Sequence, residues 1–261
     1  MASPQANLVE IFSALQGEGP ILGTRQIFIR FGRCDLRCHF CDSDRTWQPS
    51  PSVQVEQHAG LRDFVEFPNP VSLEQLLAWV DGQHQPPHLH DSISLTGGEP
   101  LLHGPFLTEF LPQVKAATDL PIYLETGGHR PAQLAQVLPW LDAIGMDWKL
   151  PSASGEDHGP QHEDCLRQCV AAGKTVFVKA IATRDTHDAD LERSAHSVAA
   201  IAPDTPYILQ PASPLPAPIK GNQAPPEPPT PDQVLHWHSL LKQILPQVRV
   251  IPQSHKYIGQ L

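Results

Sequence analysis

The sequence CDLRCHFC at residues 34–41 contains three cysteines within eight positions and follows a short β-rich run, QIFIRF, at residues 26–31. Thiolates at this C-x3-C-x2-C spacing can bind three irons of a cubane cluster and leave the fourth iron without a protein ligand. That open iron is available to a substrate or a cofactor. The segment therefore predicts an iron–sulfur site on Cys34, Cys38 and Cys41.

Structural zinc binding is an alternative interpretation of the same cysteines. His39 lies inside the segment and would complete a four-ligand site with the thiolates. Cys165 and Cys169 nominally offer a second pair, but they are four residues apart in EDCLRQCVAAG, which suits small core residues on one face of a helix. The function implied by this alternative is a non-catalytic zinc-binding interaction protein.

The composition favours a protein that acts on a small molecule. The formal net charge of −10 argues against general binding of nucleic acids or anionic membranes, which need an excess of Lys and Arg. No run approaches the length of a membrane-spanning helix, and the N-terminus lacks a basic region followed by an apolar core. Five cysteines, three of them clustered, do not resemble a disulfide framework. We therefore expect a soluble, cytoplasmic protein with no nucleic-acid or membrane partner.

Short β-rich runs alternate with helical patterns along the chain. The clearest helix is residues 72–82, where Ser72 and Gln75 form a capping-box pair and Gly82 suits the left-handed end of a helix. The predicted strands are residues 26–31, 92–96, 121–125, 143–147, 175–181, 206–210 and 247–251. The other predicted helices are residues 106–117, 190–202 and 232–245, the first containing Pro112. This alternation predicts an α/β fold with a mostly parallel sheet, flat or barrel-like.

Two proline-bounded stretches interrupt this alternation. Gln48–Pro51 and Pro68–Pro70 bracket a stretch that is predicted to be irregular, so that residues 48–70 contain no predicted strand or helix. Residues 211–231 read PASPLPAPIKGNQAPPEPPTP, which favours loop and polyproline conformations. Because element-like sequence resumes after each stretch, we expect a single domain over residues 1–261 with a proline-rich surface insertion at 211–231.

Polar or glycine-rich sequence follows the end of nearly every predicted strand. Beyond the cysteine segment, these stretches are Thr96-Gly97-Gly98-Glu99, Glu125-Thr126-Gly127-Gly128, Asp147 with Lys149, Gln210-Pro211 and Pro252-Gln253. In parallel α/β folds the carboxyl ends of the strands meet at one edge, which is where active sites lie. The sequence therefore predicts one active site at this edge.

The cysteine spacing, with Phe40 before the last cysteine, together with TGGEP at residues 96–100, resembles the signature of radical S-adenosylmethionine enzymes. The resemblance implies a partial (β/α)6 barrel whose 4Fe–4S cluster binds the amino and carboxylate groups of S-adenosylmethionine and cleaves it reductively. Gly97 and Gly98 would let the backbone approach the ligand closely. Glu99 would orient the ammonium of the cofactor.

A narrower resemblance covers residues 15–259. LQGEG at 15–19, CDS at 41–43, ETG at 125–127 and VIPQ at 250–253 are similar to motifs of the 7-carboxy-7-deazaguanine synthase family. This resemblance implies a lyase that converts 6-carboxy-5,6,7,8-tetrahydropterin into 7-carboxy-7-deazaguanine with loss of ammonia, on the biosynthetic route to queuosine, a tRNA modification. It also implies a Mg2+ requirement, a flavodoxin- or ferredoxin-type reductant and a homodimer.

The resemblance assigns roles to individual residues, with no catalytic group beyond the cluster and S-adenosylmethionine. Arg30 is the natural bidentate partner of the substrate carboxylate, and Gln16 suits the pyrimidinone edge. Ser43, where the family usually has Thr, is the expected Mg2+ ligand. The expected cofactor contacts are Phe40, Asp42, Gly98, Glu99, Asp147, Trp148, Lys149 and Gln210. The expected substrate contacts are Leu15, Gln16, Gly17, Glu18, Arg30, Thr96 and Pro252.

A glycyl-radical activating enzyme is a second alternative, because it shares the cysteine motif. Such an enzyme needs an open groove for a peptide of its partner. This alternative explains neither LQGEG at residues 15–19 nor CDS at residues 41–43.

Overall fold

One sheet of ten strands runs through the computed structural model, which describes residues 4–215 and 225–260. The strands are β1 (Leu8–Leu15), β2 (Arg25–Phe31), β3 (Ser52–Glu56), β4 (Phe64–Pro68), β5 (Ser92–Gly97), β6 (Ile122–Thr126), β7 (Ala143–Asp147), β8 (Thr175–Ala182), β9 (Tyr207–Pro211) and β10 (Val248–Val250). The helices are α1 (Leu73–Gln83), α2 (Gly104–Ala117), α3 (Pro131–Val137), α4 (Pro151–Ser154), α5 (Gly159–Ala171), α6 (Asp188–Ile201) and α7 (Pro231–Lys242).

The strand order is β10-β9-β8-β7-β6-β5-β2-β1-β3-β4, and the sheet is not closed into a barrel. From β2 through β5 to β10 all neighbouring strands are parallel. Helical connections join them, and along the chain the longer helices pack one against the next. The main hydrophobic core lies between these helices and the sheet. The predicted partial (β/α)6 arrangement is confirmed, in its open form.

Three strands at one end of the sheet were absent from the sequence prediction. Strand β1 precedes the first predicted strand and pairs with β2 in antiparallel orientation. Glu10 and Ser13 interrupt its apolar pattern, yet both residues are buried. The prediction that residues 48–70 are irregular is wrong, because β3 and β4 form an antiparallel pair there. Strand β3 is well buried, but β4 is mostly exposed or half-buried. The apolar pattern of this pair is therefore weak in the sequence.

The predicted helices form, with small changes at their ends. The capping box of Ser72 and Gln75 is present at the start of α1. The predicted end of this helix at Gly82 is wrong, because α1 continues to Gln83 and Gly82 has an ordinary helical φ. Pro112 lies inside α2 without ending it.

The proline-rich segment is described only at its two ends. Strand β9 includes Pro211, and α7 begins at Pro231 behind a capping box of Thr230 and Gln233. The middle of the predicted loop, residues 216–224, lies outside the described residues. Among the helices that are described, none is long and apolar enough to cross a membrane.

Candidate active site

A cavity of about 630 Å3 lies at the carboxyl ends of the parallel strands. Its walls include side chains from the cysteine segment, from LQGEG at residues 15–19 and from the ends of β5 to β9. The expected site residues that line it are Leu15, Gln16, Gly17, Glu18, Arg30, Cys34, Cys38, Phe40, Cys41, Asp42, Ser43, Thr96, Gly98, Glu99, Asp147, Lys149 and Gln210. The structure thus brings nearly the whole expected set together around one space.

Two expected residues do not line this cavity. Trp148 is buried in the core with its ring 5.0 Å from that of His162, while Asp147 and Lys149 on either side of it line the cavity. Pro252 is exposed, and Gln253 after it is the buried cavity residue. Each of the two lies one position from a cavity residue, because successive side chains of an extended chain point in opposite directions, and their contacts with a ligand stay predictions.

The three cysteines of the 34–41 segment are free thiols on the cavity wall. Burial raises the pKa of Cys34 to about 12 and that of Cys38 to about 11. Such thiols become thiolates when a bound metal supplies the compensating positive charge. The donor set is therefore soft, uncommitted and suited to iron.

A mononuclear zinc site is not formed by these side chains. Within residues 4–215 and 225–260, no group of three His, Cys, Asp or Glu side chains is arranged to hold a single metal ion. Cys165 and Cys169 are completely buried on α5 and belong to the hydrophobic core, as their helical spacing predicts. A cubane cluster, with its irons at separate corners, accommodates thiolates that are farther apart than a single ion allows.

Unpaired polar atoms near the cysteines indicate where a polar ligand fits. Gln210 is 1% exposed, and neither its Nε2 nor its Oε1 has a hydrogen-bond partner among the described residues. Oδ1 of Asp147 is likewise buried and unpaired there, while its Oδ2 accepts a 2.7 Å bond from Nζ of Lys149. Buried polar atoms are rarely left unpaired without a ligand or water. The cavity wall therefore fits a ligand rich in polar groups, such as S-adenosylmethionine.

The two glycines of TGGEP are required by packing of the protein on itself. A Cβ on Gly98 would lie 2.1 Å from the carbonyl oxygen of Arg33, and Gly97 has a φ of +125°. The amides of Gly98 and Glu99 donate to the carbonyls of Phe31 and Arg33, both at 2.9 Å. The structure thus gives these glycines a different reason from the expected approach to a ligand: they let the loop pack against the cysteine segment.

Glu99 is 1% exposed, and its carboxylate is heavily engaged within the protein. It accepts hydrogen bonds from the amide of Leu101 at 3.0 Å, the hydroxyl of Thr126 at 2.9 Å and the amide of Gly127 at 2.8 Å. These bonds tie the TGGEP loop to the end of β6. An additional contact of Glu99 with the ammonium of the cofactor stays a prediction.

A network of amide and carboxylate groups lines another part of the cavity. Nε2 of Gln16 donates to Oε1 of Glu125 at 2.8 Å, and the hydroxyl of Thr96 donates to Oε2 at 2.8 Å. Glu125 was not among the expected contacts, although its place in ETGG at a strand end was a usable signal. Nε2 of Gln16 also donates to Gln26 at 3.1 Å, so the N–H and O–H hydrogens of this network are used and its remaining capacity is that of acceptor oxygens, which suit the N–H groups of a heterocyclic edge.

Arg30 lines the same cavity from β2. Its Nε donates to Oε1 of Glu10 at 2.6 Å, and Arg45 donates to the same oxygen at 2.6 Å. The two Nη groups of Arg30 have no hydrogen-bond partner in the part of the chain that the structure describes. Glu10 therefore fixes the guanidinium and leaves its outer edge for a bidentate bond to a carboxylate.

A partly buried ion pair that the sequence analysis missed connects the LQGEG loop to β8. Nζ of Lys179 contacts Oε2 of Glu18, whose Oε1 accepts a 2.8 Å bond from Gln253. Burial would raise the pKa of Glu18, but the Lys179 ammonium holds it below its ordinary value. Gln253 and Lys256 also bond Oδ2 of Asp42, each at 2.9 Å. The only signal for Lys179 was a lysine within the otherwise apolar run TVFVKAI.

Ser43 lies beside the last cysteine of the segment. Its Oγ is 3.8 Å from Sγ of Cys41 and lines the cavity. Ser43 precedes a short 3-10 helix, Asp44–Thr46, but its side chain makes no capping hydrogen bond there. The hydroxyl is thus not committed to capping the loop, which was the simpler role for a serine at this position.

Comparisons with known proteins agree with this geometry. The model of the radical SAM superfamily matches residues 28–149. The 7-carboxy-7-deazaguanine synthase of Geobacter sulfurreducens is 40% identical over 100% of both chains. The enzyme of the same name from Archaeoglobus fulgidus is 29% identical over 98% of this chain and 99% of its own.

Solved structures support the fold. QueE from Escherichia coli covers 96% of this chain and 95% of its own, with a TM-score of 0.61 and 21% identity. Streptococcus suis SuiB bound to S-adenosylmethionine covers 86% of this chain and 51% of its own, with a TM-score of 0.56 and 12% identity. At these identities the likeness concerns the fold alone. The superfamily match implies a 4Fe–4S cluster and S-adenosylmethionine as cofactors. Because similarity to a curated relative extends along the entire sequence, the chain belongs to the 7-carboxy-7-deazaguanine synthase family of radical SAM enzymes.

Proposed function

We propose that this protein converts 6-carboxy-5,6,7,8-tetrahydropterin into 7-carboxy-7-deazaguanine with loss of ammonia. The observation that carries the proposal is that one cavity contains both the three cysteines and an uncommitted guanidinium edge, that of Arg30. The relatives that cover the full chain are named 7-carboxy-7-deazaguanine synthase, which supplies the product. The family resemblance supplies the pterin substrate and the route to queuosine.

Cys34, Cys38 and Cys41 would hold the cluster, and the unpaired atoms of Asp147 and Gln210 would bind S-adenosylmethionine. When bound, this pair of cofactors supplies one-electron cleavage chemistry and hydrogen abstraction from a substrate carbon. The protein itself binds and orients the substrate and the cofactors, and it excludes water from them.

The substrate would be oriented by its two polar ends. The outer edge of Arg30 pairs with the carboxylate, since Glu10 already fixes the inner edge through Nε. The network of Gln16, Thr96 and Glu125 offers acceptor oxygens to the N–H groups of the pyrimidinone edge, because its own N–H and O–H hydrogens are already bonded within the protein. A carboxylate-bearing heterocycle thus finds a partner for each end in this cavity.

The Mg2+ ion would be bound by the hydroxyl of Ser43 together with water and substrate oxygens. Mg2+ prefers oxygen ligands and often takes few of them from the protein. Support comes from the cavity-lining position of Ser43 and from the absence of a capping bond on its side chain.

A one-electron donor of the flavodoxin or ferredoxin type is part of the proposal, because cleavage consumes an electron that this chain does not supply. A homodimer is proposed on the family resemblance. The comparisons favour the synthase over both alternatives, the glycyl-radical activating enzyme and the zinc-binding interaction protein.

The experiment is an anaerobic assay of the full-length protein reconstituted with iron and sulfide. It is incubated with the carboxypterin, S-adenosylmethionine, Mg2+ and a one-electron reductant, and the product is followed by mass spectrometry alongside ammonia release. The expected result is 7-carboxy-7-deazaguanine from the wild type and none from Cys38→Ala. Reductive cleavage of S-adenosylmethionine with no deazaguanine product would contradict the proposed substrate.

A further inference from the structure

Lys179 is a charged residue in the middle of β8 that the proposed function leaves without a role. Its side chain is 14% exposed and lines the cavity. Its Nζ contacts Oε2 of Glu18, which is 15% exposed. A buried ammonium needs a partner because an unpaired charge in a protein interior is strongly unfavourable.

The neighbouring strand does not supply the main partner of Lys179. Asp147 on β7 is opposite Lys179 in the strand register, but its Oδ2 bonds Nζ of Lys149 at 2.7 Å. Each lysine therefore has its own carboxylate, Lys149 that of Asp147 and Lys179 that of Glu18. Lys179 thus connects β8 in the sheet to the LQGEG loop, which lies near the beginning of the sequence.

The carboxylate of Glu18 is fixed from two sides. Oε2 contacts Lys179, and Oε1 accepts the 2.8 Å bond from Gln253. The backbone amide of Glu18 donates to Oε1 of Gln16 at 3.0 Å, which fixes the amide side chain as well. Since a carboxylate has about four acceptor positions, Glu18 keeps capacity for a ligand donor.

We infer that Lys179 is a positioning residue that acts through Glu18, holding its carboxylate in place as an acceptor for N–H groups of the substrate ring. This inference rests on the proposed function, which supplies the 2-amino-4-oxo ring with such N–H groups. Lys179 itself would touch Glu18 and not the reacting atoms.

The charges around Glu18 support this role. Burial and the nearby carboxylate of Asp42 both raise the pKa of Glu18, and the Lys179 ammonium is the main charge that lowers it. The groups that face Glu18 are Lys179 of β8, Asp42 after the cysteine segment, Tyr123 of β6, and Gln253 and His255 of the C-terminal segment. Removing Lys179 would leave a buried carboxyl whose pKa lies above its ordinary value. Such a carboxyl becomes protonated under mildly acidic conditions.

The test measures equilibrium binding of the carboxypterin to cluster-loaded protein by anaerobic calorimetry, without reductant. Lys179→Met is expected to bind about tenfold more weakly, the loss of one charge-assisted hydrogen bond. Its binding should weaken further from pH 8 to pH 6, whereas that of the wild type stays level. Lys179→Arg should restore both properties, and iron content and affinity for S-adenosylmethionine should not change in either variant.

Lys115→Met is the matched control. Lys115 forms an ordinary pair with Asp142 at 2.8 Å, and Asp142 precedes β7, at the strand edge opposite the cavity. This variant should bind the pterin like the wild type at both pH values.

A double-variant comparison separates positioning from general support of the fold. Glu18→Gln should weaken binding, and adding Lys179→Met should then change it by less than about twofold, because Lys179 acts through Glu18. If Lys179→Met alone fails to fold, the comparison of Glu18→Gln with the double variant still decides. In Glu18→Gln the carboxylates of Asp147 and Glu125 still compensate the Lys179 ammonium, and the double variant leaves no unpaired charge. A further tenfold loss in the double variant would overturn the inference. So would wild-type binding by Lys179→Met. A wild type that binds S-adenosylmethionine but not the pterin would overturn the proposed function and this inference with it.

Discussion

Two walls of the cavity are built by different means. The cluster wall, residues 34–41 with 97–100, is set by backbone packing, as the 2.1 Å distance from a Cβ on Gly98 to the Arg33 carbonyl oxygen indicates. The substrate wall, made by Gln16, Glu18, Arg30, Glu125 and Lys179, is set by hydrogen bonds and ion pairs between side chains of separate elements. The cluster wall should therefore tolerate no added atom in its backbone contacts, whereas the substrate wall should lose function in steps, one polar contact at a time.

The largest effect is expected from Gly98→Ala. Its Cβ would meet the carbonyl oxygen and carbon of Arg33 and the Cβ of Cys34, none of which is the end of a flexible side chain that could yield. We expect destabilisation of about 3 kcal/mol or more and loss of the cluster. Thermal unfolding and iron content measure both.

Gly82→Ala is the control for that substitution. Gly82 lies inside α1, and a Cβ there would meet no atom within 4 Å. This variant should be unchanged or more stable by up to about 1 kcal/mol. A Gly98→Ala protein with full cluster content would show that the cluster wall is not set by backbone packing.

The next effect concerns the substrate wall. Arg30→Ala should weaken binding of the carboxypterin roughly 10–150-fold, the range for a charge-assisted pair of about 1.5–3 kcal/mol. Affinity for S-adenosylmethionine should change little, because Arg30 is held by Glu10 on the substrate wall. Separate titrations of the two ligands measure this, and an equal loss for both would indicate that Arg30 supports the fold.

A smaller effect is expected at Ser43, which lines the cavity beside Cys41 of the cluster wall. Ser43→Ala should keep the cluster spectrum but lose most of the Mg2+ stimulation of turnover, while Ser43→Thr keeps both. The measurement is turnover against Mg2+ concentration at matched iron content. A wild-type magnesium response in Ser43→Ala would mean that the ion is bound by other groups.

The smallest effect is expected at His90. It concerns how acid lowers the stability of the fold, as distinct from how acid weakens binding at the substrate wall. His90 is 5% exposed, and burial lowers its pKa to about 4. Between pH 6.5 and 4 the unfolded chain binds a proton here that the folded chain does not, so acid destabilises the fold. We expect the free energy of unfolding to fall by about 1–2 kcal/mol from pH 7 to pH 5.

Replacing His90 by Gln should remove the part of the slope that is due to His90 and leave the part that is due to His162, with pterin binding at pH 8 unchanged. Denaturant unfolding at several pH values measures it. An unchanged slope in His90→Gln would assign the acid sensitivity to other groups, such as His162, whose pKa burial lowers to about 3.

The difference between the walls also explains why the sequence predicts the residues of the cluster wall better than those of the substrate wall. Cys34, Cys38, Cys41 and the TGGEP loop are contiguous motifs at strand ends, so spacing alone indicates their chemistry. Lys179 is a single residue whose partner, Glu18, is 161 positions away, and nothing local shows that it is buried. Ion-pair partners that are so far apart in the sequence can be identified only when the order of the strands in the sheet is known.

The remaining differences from the sequence prediction have local causes. Trp148 and Pro252 were placed in the site because their neighbours belong there, and alternation along the extended chain turns them away. The pair β3 and β4 was hidden because prolines bound it and one of its strands is mostly exposed. The parallel strands were found because most of their residues are buried, which makes their apolar runs nearly continuous.

The central claim is that both walls bind their ligands in one cavity, with the substrate against the cofactor. The test is turnover of carboxypterin deuterated at C6 by the reconstituted enzyme. Mass spectrometry then measures deuterium in S-adenosylmethionine and in its cleavage product. Deuterium is expected to pass from the pterin to the adenosyl carbon of the cofactor. Formation of 7-carboxy-7-deazaguanine with no label in either molecule would contradict it.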